Sequence, residues 1–276
     1  MRRLSRERAG VLGGHTIFLS ASVPTRAPFE RRGDAAFHVE QAVTSLVRAV
    51  FAEDGRLVFG GHPSISPLVA SIATEYFPVR PDGASPPIDI YQSRAYEGFL
   101  PDKTWDMQRF GFARIHWSDA VNGERFDPAL PSLQCQDSLR AMRRMLLEES
   151  RPTALVAIGG MEGVLHEAQL CGQQGRDTPF VVFTVRETGG AAELLATGGI
   201  PARPEWALLR GAQTDPTYTP VTIRVVDDEW RRTMPEAVER TDRPDPRARS
   251  VPPPYPVMMQ WLVHEIATLP RTPPRR

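Results

Sequence analysis

The sequence feature that most constrains this chain is a short apolar segment that runs directly into glycines and then into a helical pattern. Residues 154–158 are all apolar, which is long enough for a buried strand and too short for a helix. Gly159 and Gly160 follow at once, and Gly163 comes soon after. From Met161 onwards, apolar residues recur at helical spacing. The stretch therefore predicts a strand, a glycine turn and a helix in immediate succession.

Such a turn is suited to holding a phosphate group, because glycine lets the backbone approach a ligand and the free amides at a helix start point at an anion. The pattern Gly-Gly-x-x-Gly differs from the dinucleotide fingerprint Gly-x-Gly-x-x-Gly, and no Gly-Lys-Ser/Thr follows as in a P-loop. The alternative is a tight strand-to-helix turn of the kind found in any α/β protein. The candidate ligand-binding residues of this turn are Gly159, Gly160, Met161, Glu162 and Gly163.

A second turn of the same design comes earlier in the chain. Residues 56–59 have the pattern of a short strand, and they run into Gly60 and Gly61. A helix follows, with Ser66 as its predicted N-cap and Pro67 in its first turn. Both glycines are therefore candidate ligand-binding residues as well.

A third glycine pair follows another strand. Residues 180–185 are almost continuously apolar, as central parallel strands are, and Gly189 and Gly190 come just before the next helix. The strands of a doubly wound parallel sheet all have their carboxyl ends on one edge, so the three glycine pairs should face one crevice. A nucleotide-like ligand fits this arrangement, with phosphate on glycine amides and the base against side chains.

Polar side chains lie at the carboxyl ends of two of the predicted strands. Residues 15–21 have the pattern of the first strand, and Ser20 and Ser22 lie at its carboxyl end. Their hydroxyls can hydrogen-bond a phosphate or a sugar, or they can cap the next segment. His62 and Ser64 follow the second glycine pair. His62 can contact an anion, serve as a general acid or be purely structural.

The remaining segments complete an α/β pattern. The other predicted strands are residues 88–91, 113–117 and 221–226. The other predicted helices are residues 37–51 and 133–149. Residues 95–110 are predicted to be a loop with one helical turn. We therefore predict a Rossmann-like, doubly wound, mostly parallel sheet with helices on both faces.

The composition changes towards both ends of the chain. Residues 1–14 are rich in arginine and are predicted to be a flexible basic arm, followed by the Rossmann-like domain over residues 15–239. Residues 240–256 are predicted to be a proline-rich linker, and residues 257–276 a C-terminal helix and tail. That helix should pack either on the body of the protein or on another subunit.

Charge and cysteine content exclude several classes of function. Lysine and arginine number 33 and aspartate and glutamate 33, so no global basic field would hold nucleic acid or a membrane surface. Cys135 and Cys171 are the two cysteines, without a CxxC pair or a His/Cys cluster, so neither a metal site nor a disulfide framework is expected. We expect no cofactor. Without an apolar run of about 18 residues or a secretory signal, the prediction is a cytoplasmic protein.

These motifs together resemble the SLOG superfamily, which joins lonely-guy type phosphoribohydrolases, the DNA-processing protein A family and sensor domains of bacterial conflict systems. Residues 18–22, 59–67, 158–167 and 188–192 carry the resemblance, within a span of roughly residues 15–227. The stand-alone SLOG-cluster proteins of conflict systems are the most similar branch, through the Gly-Gly-His-Pro-Ser form of the second turn. The resemblance implies a Rossmann-like fold with a nucleotide-type ligand at the glycine turns.

Lonely-guy enzymes carry the motif Pro-Gly-Gly-x-Gly-Thr-x-x-Glu and an arginine on the preceding helix. Four residues are similar to the glycines and the glutamate of that motif: Gly159, Gly160, Gly163 and Glu167. Arg143 is similar in position to the arginine. The chain departs from the motif at Ile158 and Val164, where the family has proline and threonine, and its glycine spacing is one residue longer.

We interpret the chain as a sensor domain. A nucleotide-derived small molecule would bind in the crevice, with Ser20 and Ser22 bonded to it and Arg143 neutralising its charge. The sequence has no evident effector domain, so a separate effector protein is an expected partner. A homo-oligomer is also expected, because the apolar helices and the terminal helix with Trp261 need partners.

Two alternatives belong to other functional classes. An enzyme of this kind would cleave the N-glycosidic bond of a nucleotide, with Glu167 or Glu162 stabilising the oxocarbenium-like centre and Arg143 holding the substrate. A protein that handles single-stranded DNA would use a local basic stripe of Arg140, Arg143 and Arg144, although the zero net charge argues against this.

Overall fold

The structure is a computed structural model, and it describes residues 10–30, 33–77, 85–130, 134–173, 178–212, 215–226 and 254–271. Most of the predicted basic arm and of the proline-rich linker lies outside the described residues. Within the arm, residues 10–14 are described, and the side chain of Leu12 is fully buried there.

The core of the fold is one parallel sheet of seven strands in the order β4-β3-β2-β1-β5-β6-β7. The strands are β1 (Thr16–Ser22), β2 (Arg56–Phe59), β3 (Ile88–Ser93), β4 (Ala113–Ser118), β5 (Ala154–Gly159), β6 (Val181–Val185) and β7 (Thr222–Val225). The predicted doubly wound parallel sheet is therefore confirmed, and β7 joins it as a parallel edge strand. The central strand β5 is buried along its whole length, which explains its continuous apolar pattern.

Helices cover both faces of the sheet. The α-helices in the described residues are α1 (Ala35–Ala52), α2 (Ser66–Tyr76), α3 (Asp102–Arg109), α4 (Gln136–Ser150), α5 (Glu162–Gly172), α6 (Gly190–Thr197) and α7 (Tyr255–Ala267). The first three and α7 pack on one face, and α4, α5 and α6 pack on the other. None of the helices that the structure describes is both long and apolar enough to span a bilayer.

Two local predictions were wrong. Residues 95–110 hold the complete helix α3, whose inward side chains are Thr104 and Met107. Two inward positions in eight residues are too few to produce a recognisable helical period. Ser66 is the first residue of α2 and not its N-cap, a position that Ile65 occupies without a side-chain bond.

The C-terminal helix α7 packs on α1 of the same chain. Its buried residues are Met258, Met259, Leu262, Val263 and Ile266. Polar contacts flank this interface: the Gln260 amide donates to Glu53 at 3.1 Å, and Tyr255 Oη lies 2.8 Å from His38 Nδ1. Of the two predicted docking modes, the structure therefore has the one within the chain.

Candidate functional site

The chain reverses its direction of winding between β1 and β5. From β1 the strands proceed to β2, β3 and β4 on one side, whereas β5, β6 and β7 lie on the other. Loops at the carboxyl ends of two such neighbouring strands diverge, and this leaves a crevice where open α/β sheets bind ligands. Here Ser22, the last residue of β1, is paired with Gly159, the last residue of β5.

A cavity of about 330 Å³ lies at this edge of the sheet. Eight of the predicted site residues line it: Ser20, Ser22, Gly60, Gly61, His62, Arg143, Gly163 and Glu167. The cavity therefore joins the carboxyl end of β1 and the Gly60–Gly61 turn to the start of α5. The lining includes one arginine and one carboxylate, Arg143 and Glu167, so its floor is close to neutral.

Glu167 is held from both sides at the base of this cavity. Arg143 Nε donates to its Oε1 at 3.0 Å, and Ser20 Oγ donates to its Oε2. The two charged side chains are 10% and 14% exposed, so the ion pair is largely removed from water. This arrangement fixes a carboxylate at the carboxyl end of β1, where it can accept a further hydrogen bond from a sugar hydroxyl.

Gly163 packs against the end of the Arg143 side chain. A β-carbon at this position would come within 2.9 Å of Arg143 Nη2. The same guanidinium donates through Nη1 to His166 Nδ1 at 3.2 Å. One arginine from α4 therefore contacts three residues of α5: Gly163, His166 and Glu167.

Hydrogen bonds join the Gly159–Gly160 turn to the Gly189–Gly190 turn and to the end of β1. The Gly159 amide donates to Thr188 Oγ1 at 2.7 Å, and the Gly160 amide donates to the Ser22 carbonyl at 2.6 Å. The Ala191 amide in turn donates to the Gly160 carbonyl at 2.9 Å.

These bonds change the interpretation of the glycine motif. We predicted that the amides of Gly159 and Gly160 receive phosphate, but in this structure both are already bonded within the protein. Gly190 packs on the same turn, and neither Gly189 nor Gly190 lines the cavity. The amides of Glu162 and Gly163, which have no acceptor within α5, are the ones left at this helix start.

Three other predicted residues lie around the cavity without lining it. Glu162 is paired with Arg26, and the sulfur of Met161 lies 3.9 Å from Thr25 Oγ1. Ser64 is exposed, and its hydroxyl lies 2.9 Å from His62 Nδ1. These contacts stabilise the turns on either side of the cavity.

The sequence interpretation missed one wall of the cavity, which consists of aromatic residues and one amide. Tyr96 and Phe126 stack with ring centroids 4.9 Å apart, and Phe99 packs edge-on against Phe126 at 5.1 Å. Gln92 Nε2 donates to the Gly60 carbonyl and fixes the second glycine turn. Burial raises the pKa of Tyr96 to about 12, so its hydroxyl stays protonated. The available signal was position, since Gln92 and Tyr96 lie at and just after the carboxyl end of β3.

The described residues contain no group of three His, Cys, Asp or Glu side chains placed to hold a metal ion. The chemistry that this cavity offers is accordingly that of one carboxylate, one guanidinium, the imidazole of His62, hydroxyls, backbone amides and an aromatic wall. Burial lowers the pKa of His62.

Comparison with known proteins identifies the family. The sequence profile of the SLOG cluster3 family matches residues 29–207, which is more than half of the chain. The chain belongs to the SLOG cluster3 family. The SLOG resemblance inferred from the glycine motifs is therefore confirmed. The matched span of this SLOG cluster3 domain includes all three glycine turns, Arg143 and Glu167.

Two further comparisons were made with this SLOG cluster3 protein. None of the curated proteins matches its sequence. Among solved structures, it is similar to the X-ray structure of TM1055, a structural genomics target, with 15% sequence identity and a TM-score of 0.40. That similarity covers 66% of this chain and 81% of the other.

Proposed function

We propose that this SLOG cluster3 protein binds a nucleotide or nucleotide derivative in the cavity between β1, α4 and α5, and that it acts as a sensor of that molecule. The observation that carries the proposal is the facing arrangement of an aromatic wall and a hydroxyl and carboxylate floor across one cavity of about 330 Å³. An effector protein encoded separately, within a bacterial defence system, would read the bound state.

The aromatic wall suits a nucleobase. Phe99 is 46% exposed although it lines the cavity, so a flat ring placed there would cover apolar surface that is now in contact with water. Stacking of a base on an aromatic side chain contributes about 1–3 kcal/mol and requires no particular base. This wall therefore supports the binding of a nucleobase but does not favour a particular base.

The opposite floor suits a ribose phosphate. Glu167 has one protein donor on each carboxylate oxygen and can accept further bonds from ribose hydroxyls. The Gly163 amide at the start of α5 and the guanidinium of Arg143 are the groups available to a phosphate. Because Arg143 is paired with Glu167, an incoming anion would compete for that guanidinium, and this competition gives binding a structural consequence at the contact between α4 and α5.

The test is titration with AMP and a panel of adenine and guanine nucleotides, followed by calorimetry and native mass spectrometry. Phe99→Ala should weaken the affinity by about 5- to 150-fold, the equivalent of one lost stacking contact. Phe110→Ala is the matched control, because Phe110 is 59% exposed but lies outside this cavity. Equal affinities of the two variants, or the absence of binding by any nucleotide, would contradict the proposal. The same spectra measure the subunit number and so test the predicted homo-oligomer.

One observation favours an enzyme as the second candidate. The Ser20–Glu167–Arg143 arrangement places a fixed carboxylate where the ribose would lie, and such a carboxylate is able to stabilise an oxocarbenium-like centre. Glu162, the other predicted catalytic carboxylate, does not line the cavity and is paired with Arg26. In this reaction water would replace the base at the anomeric carbon, giving free base and ribose 5-phosphate.

Chromatography of the incubated nucleotide separates the two candidates. A sensor returns the nucleotide unchanged, whereas a hydrolase releases free base. For a hydrolase, Glu167→Gln should abolish turnover and preserve nucleotide binding, because the amide keeps the shape of the carboxyl but not its charge. Unchanged turnover in that variant would rule out Glu167 as the catalytic residue.

A further inference from the structure

A second cavity, of about 430 Å³, lies on the other side of Arg143. It is bounded by α4, by α5 and by the short turn Pro204–Trp206. It shares Arg143 and Gly163 with the first cavity, and its remaining walls are different. We refer to it as the arginine cavity, because Arg140, Arg143, Arg144 and Arg203 all line it.

The charge in the arginine cavity is unbalanced. Four guanidinium groups face two carboxylates, those of Glu162 and Glu205. Glu162 is already paired with Arg26, which lies outside the lining, and Glu205 is 3.9 Å from Arg203. Arg143 is paired with Glu167, so the charges left without a carboxylate of the lining are those of Arg140 and Arg144. Neutralisation from within the cavity is therefore incomplete.

The two arginines on the outer face of α4 add to this imbalance. Arg140 and Arg144 are four residues apart and so project from one side of the helix, where two like charges destabilise it. Arg140 has a partner in Asp137 at 3.9 Å, and Arg144 has no ion pair within the part of the chain that the structure describes. This repulsion would be relieved by an anion bound between the two side chains.

His166 supplies a neutral hydrogen-bond donor to the same cavity. Arginine can only donate, so the bond from Arg143 Nη1 makes His166 Nδ1 an acceptor and places the ring proton on Nε2. Burial, reinforced by Arg143, Arg140 and Arg144, lowers the pKa of His166 to about 3. The imidazole is therefore uncharged at neutral pH and adds no further repulsion.

We propose that the arginine cavity is a binding site for a phosphate group, held by the forked guanidinium groups of Arg140, Arg144 and Arg203 with His166 as an additional donor. Guanidinium matches phosphate oxygens in a bidentate manner, which a lone ammonium group cannot do. The site does not rest on the proposed nucleotide function, because Arg140, Arg144 and Arg203 do not line the first cavity. The phosphate is either part of a ligand that extends past Arg143 from the first cavity, or a separate molecule.

The experiment uses inorganic phosphate and pyrophosphate as probes, titrated into the full chain by calorimetry at low ionic strength. Arg144→Ala should weaken phosphate binding by about tenfold or more, and the double variant Arg140→Ala/Arg144→Ala further, since each charged hydrogen bond contributes that order of affinity. Arg109→Ala is the matched control. Arg109 is an exposed helical arginine paired three residues away with Asp106, as Arg140 is with Asp137. The control should leave phosphate affinity within about twofold.

A second readout reports on the location of the anion. NMR titration of the His166 ring should show that its pKa rises when phosphate is present, because a bound anion offsets the surrounding guanidinium charge. The charged groups that line the cavity with this ring are Arg140, Arg143 and Arg144 from α4, Glu162 from α5, and Arg203 and Glu205 from the adjoining turn. Glu167 lies behind Arg143, to which it is bonded. The Arg109→Ala control should show the same rise.

Competition between AMP and phosphate distinguishes the two sources. Displacement of phosphate by AMP, with both weakened by Arg144→Ala, would assign the site to the phosphate of the nucleotide ligand. Simultaneous binding would assign it to a separate anion. Absence of phosphate binding at about 10 mM, or equal affinity in the double variant, would overturn the proposal. Binding of inorganic phosphate does not depend on Phe99. A negative result at the arginine cavity is therefore distinguishable from a negative result at the nucleotide site.

Discussion

Arg143 and Glu167 form a buried ion pair that joins α4 to α5 at the base of the candidate site, with Nε and Oε1 3.0 Å apart. Both residues were selected from the sequence as candidates for contact with a ligand. In the structure they are partners of each other first, so their ligand chemistry is coupled to the packing of the two helices.

Removing one member of this pair should be more costly than removing both. Arg143→Ala leaves the Glu167 carboxylate buried without its cation, and we expect the free energy of unfolding to fall by about 3–5 kcal/mol. In the double variant Arg143→Met/Glu167→Leu no charge is left unpaired, so the loss should be smaller. Urea denaturation of the three proteins measures both quantities. A double variant less stable than Arg143→Ala would show that the carboxylate does not depend on its partner.

The interlocked glycine turns predict a large effect at Gly190. Its φ is +60°, and a β-carbon there would lie 2.4 Å from the Gly160 carbonyl oxygen. Gly198 is the control, because its φ is +69° but no atom lies within 4 Å of its added β-carbon. We expect Gly198→Ala to cost about 1–2 kcal/mol for the left-handed backbone, and Gly190→Ala about 1–3 kcal/mol more for the clash. Thermal or urea unfolding of both variants checks this, and equal losses would contradict it.

Stability should fall on acidification because of His166. Its folded pKa of about 3 lies below the ordinary value of 6.5, so between these values the unfolded chain binds a proton that the folded protein does not. The stabilisation is therefore fully present above pH 6.5 and is lost as the pH falls towards 3, at up to about 1.4 kcal/mol per pH unit.

The measurement is the free energy of unfolding of wild-type protein and His166→Gln from pH 7 to pH 4. The variant should lose stability less steeply, because glutamine keeps an acceptor for Arg143 but takes up no proton. His264→Gln, a change in an exposed imidazole on α7, should leave the slope as in the wild type. Burial also lowers the pKa of His15, so part of the slope should persist in His166→Gln.

Packing of α7 on α1 predicts that the C-terminal helix is required for stability. Leu262 is fully buried in this contact, and Leu262→Ala should cost about 2–5 kcal/mol. Val257 lies on the same helix but is 40% exposed, so Val257→Ala should change stability by less than about 0.5 kcal/mol. Because α7 docks within the chain, Leu262→Ala should leave the number of subunits in the native protein unchanged. A shift from oligomer to monomer in that variant would show docking between subunits instead.

The apolar runs and the glycines were sufficient to predict the architecture. Residues 154–158 are continuously apolar, and residues 180–185 nearly so, because β5 and β6 are buried on both faces. Such strands are recognisable from local sequence alone. The prediction of α3 failed because this short helix buries only Thr104 and Met107, which leaves no apolar period for the sequence to reveal.

The roles of the glycines could not be predicted in the same way. Each glycine pair marked a turn at the edge of the sheet, but the sequence does not specify the partner of a backbone amide. The amide of Gly159 bonds to Thr188, a residue 29 positions away. Such a contact depends on the side-by-side arrangement of β5 and β6, which no local pattern records.

The sequence by itself determined the order of the strands and of the helices other than α3, and the sheet edge at which the candidate site lies, because these follow from apolar periodicity and from glycine placement. It also contained the glycine motifs that resemble the family. The tertiary structure decided which of those residues meet. It paired Arg143 with Glu167, bonded the Gly159 and Gly160 amides within the protein and brought Phe99 and Phe126 to the opposite wall. It also gathered four arginines around a second cavity. The physical reason is that side-chain and backbone contacts between distant segments depend on the register and packing of the whole sheet, and these are set only when the chain has folded.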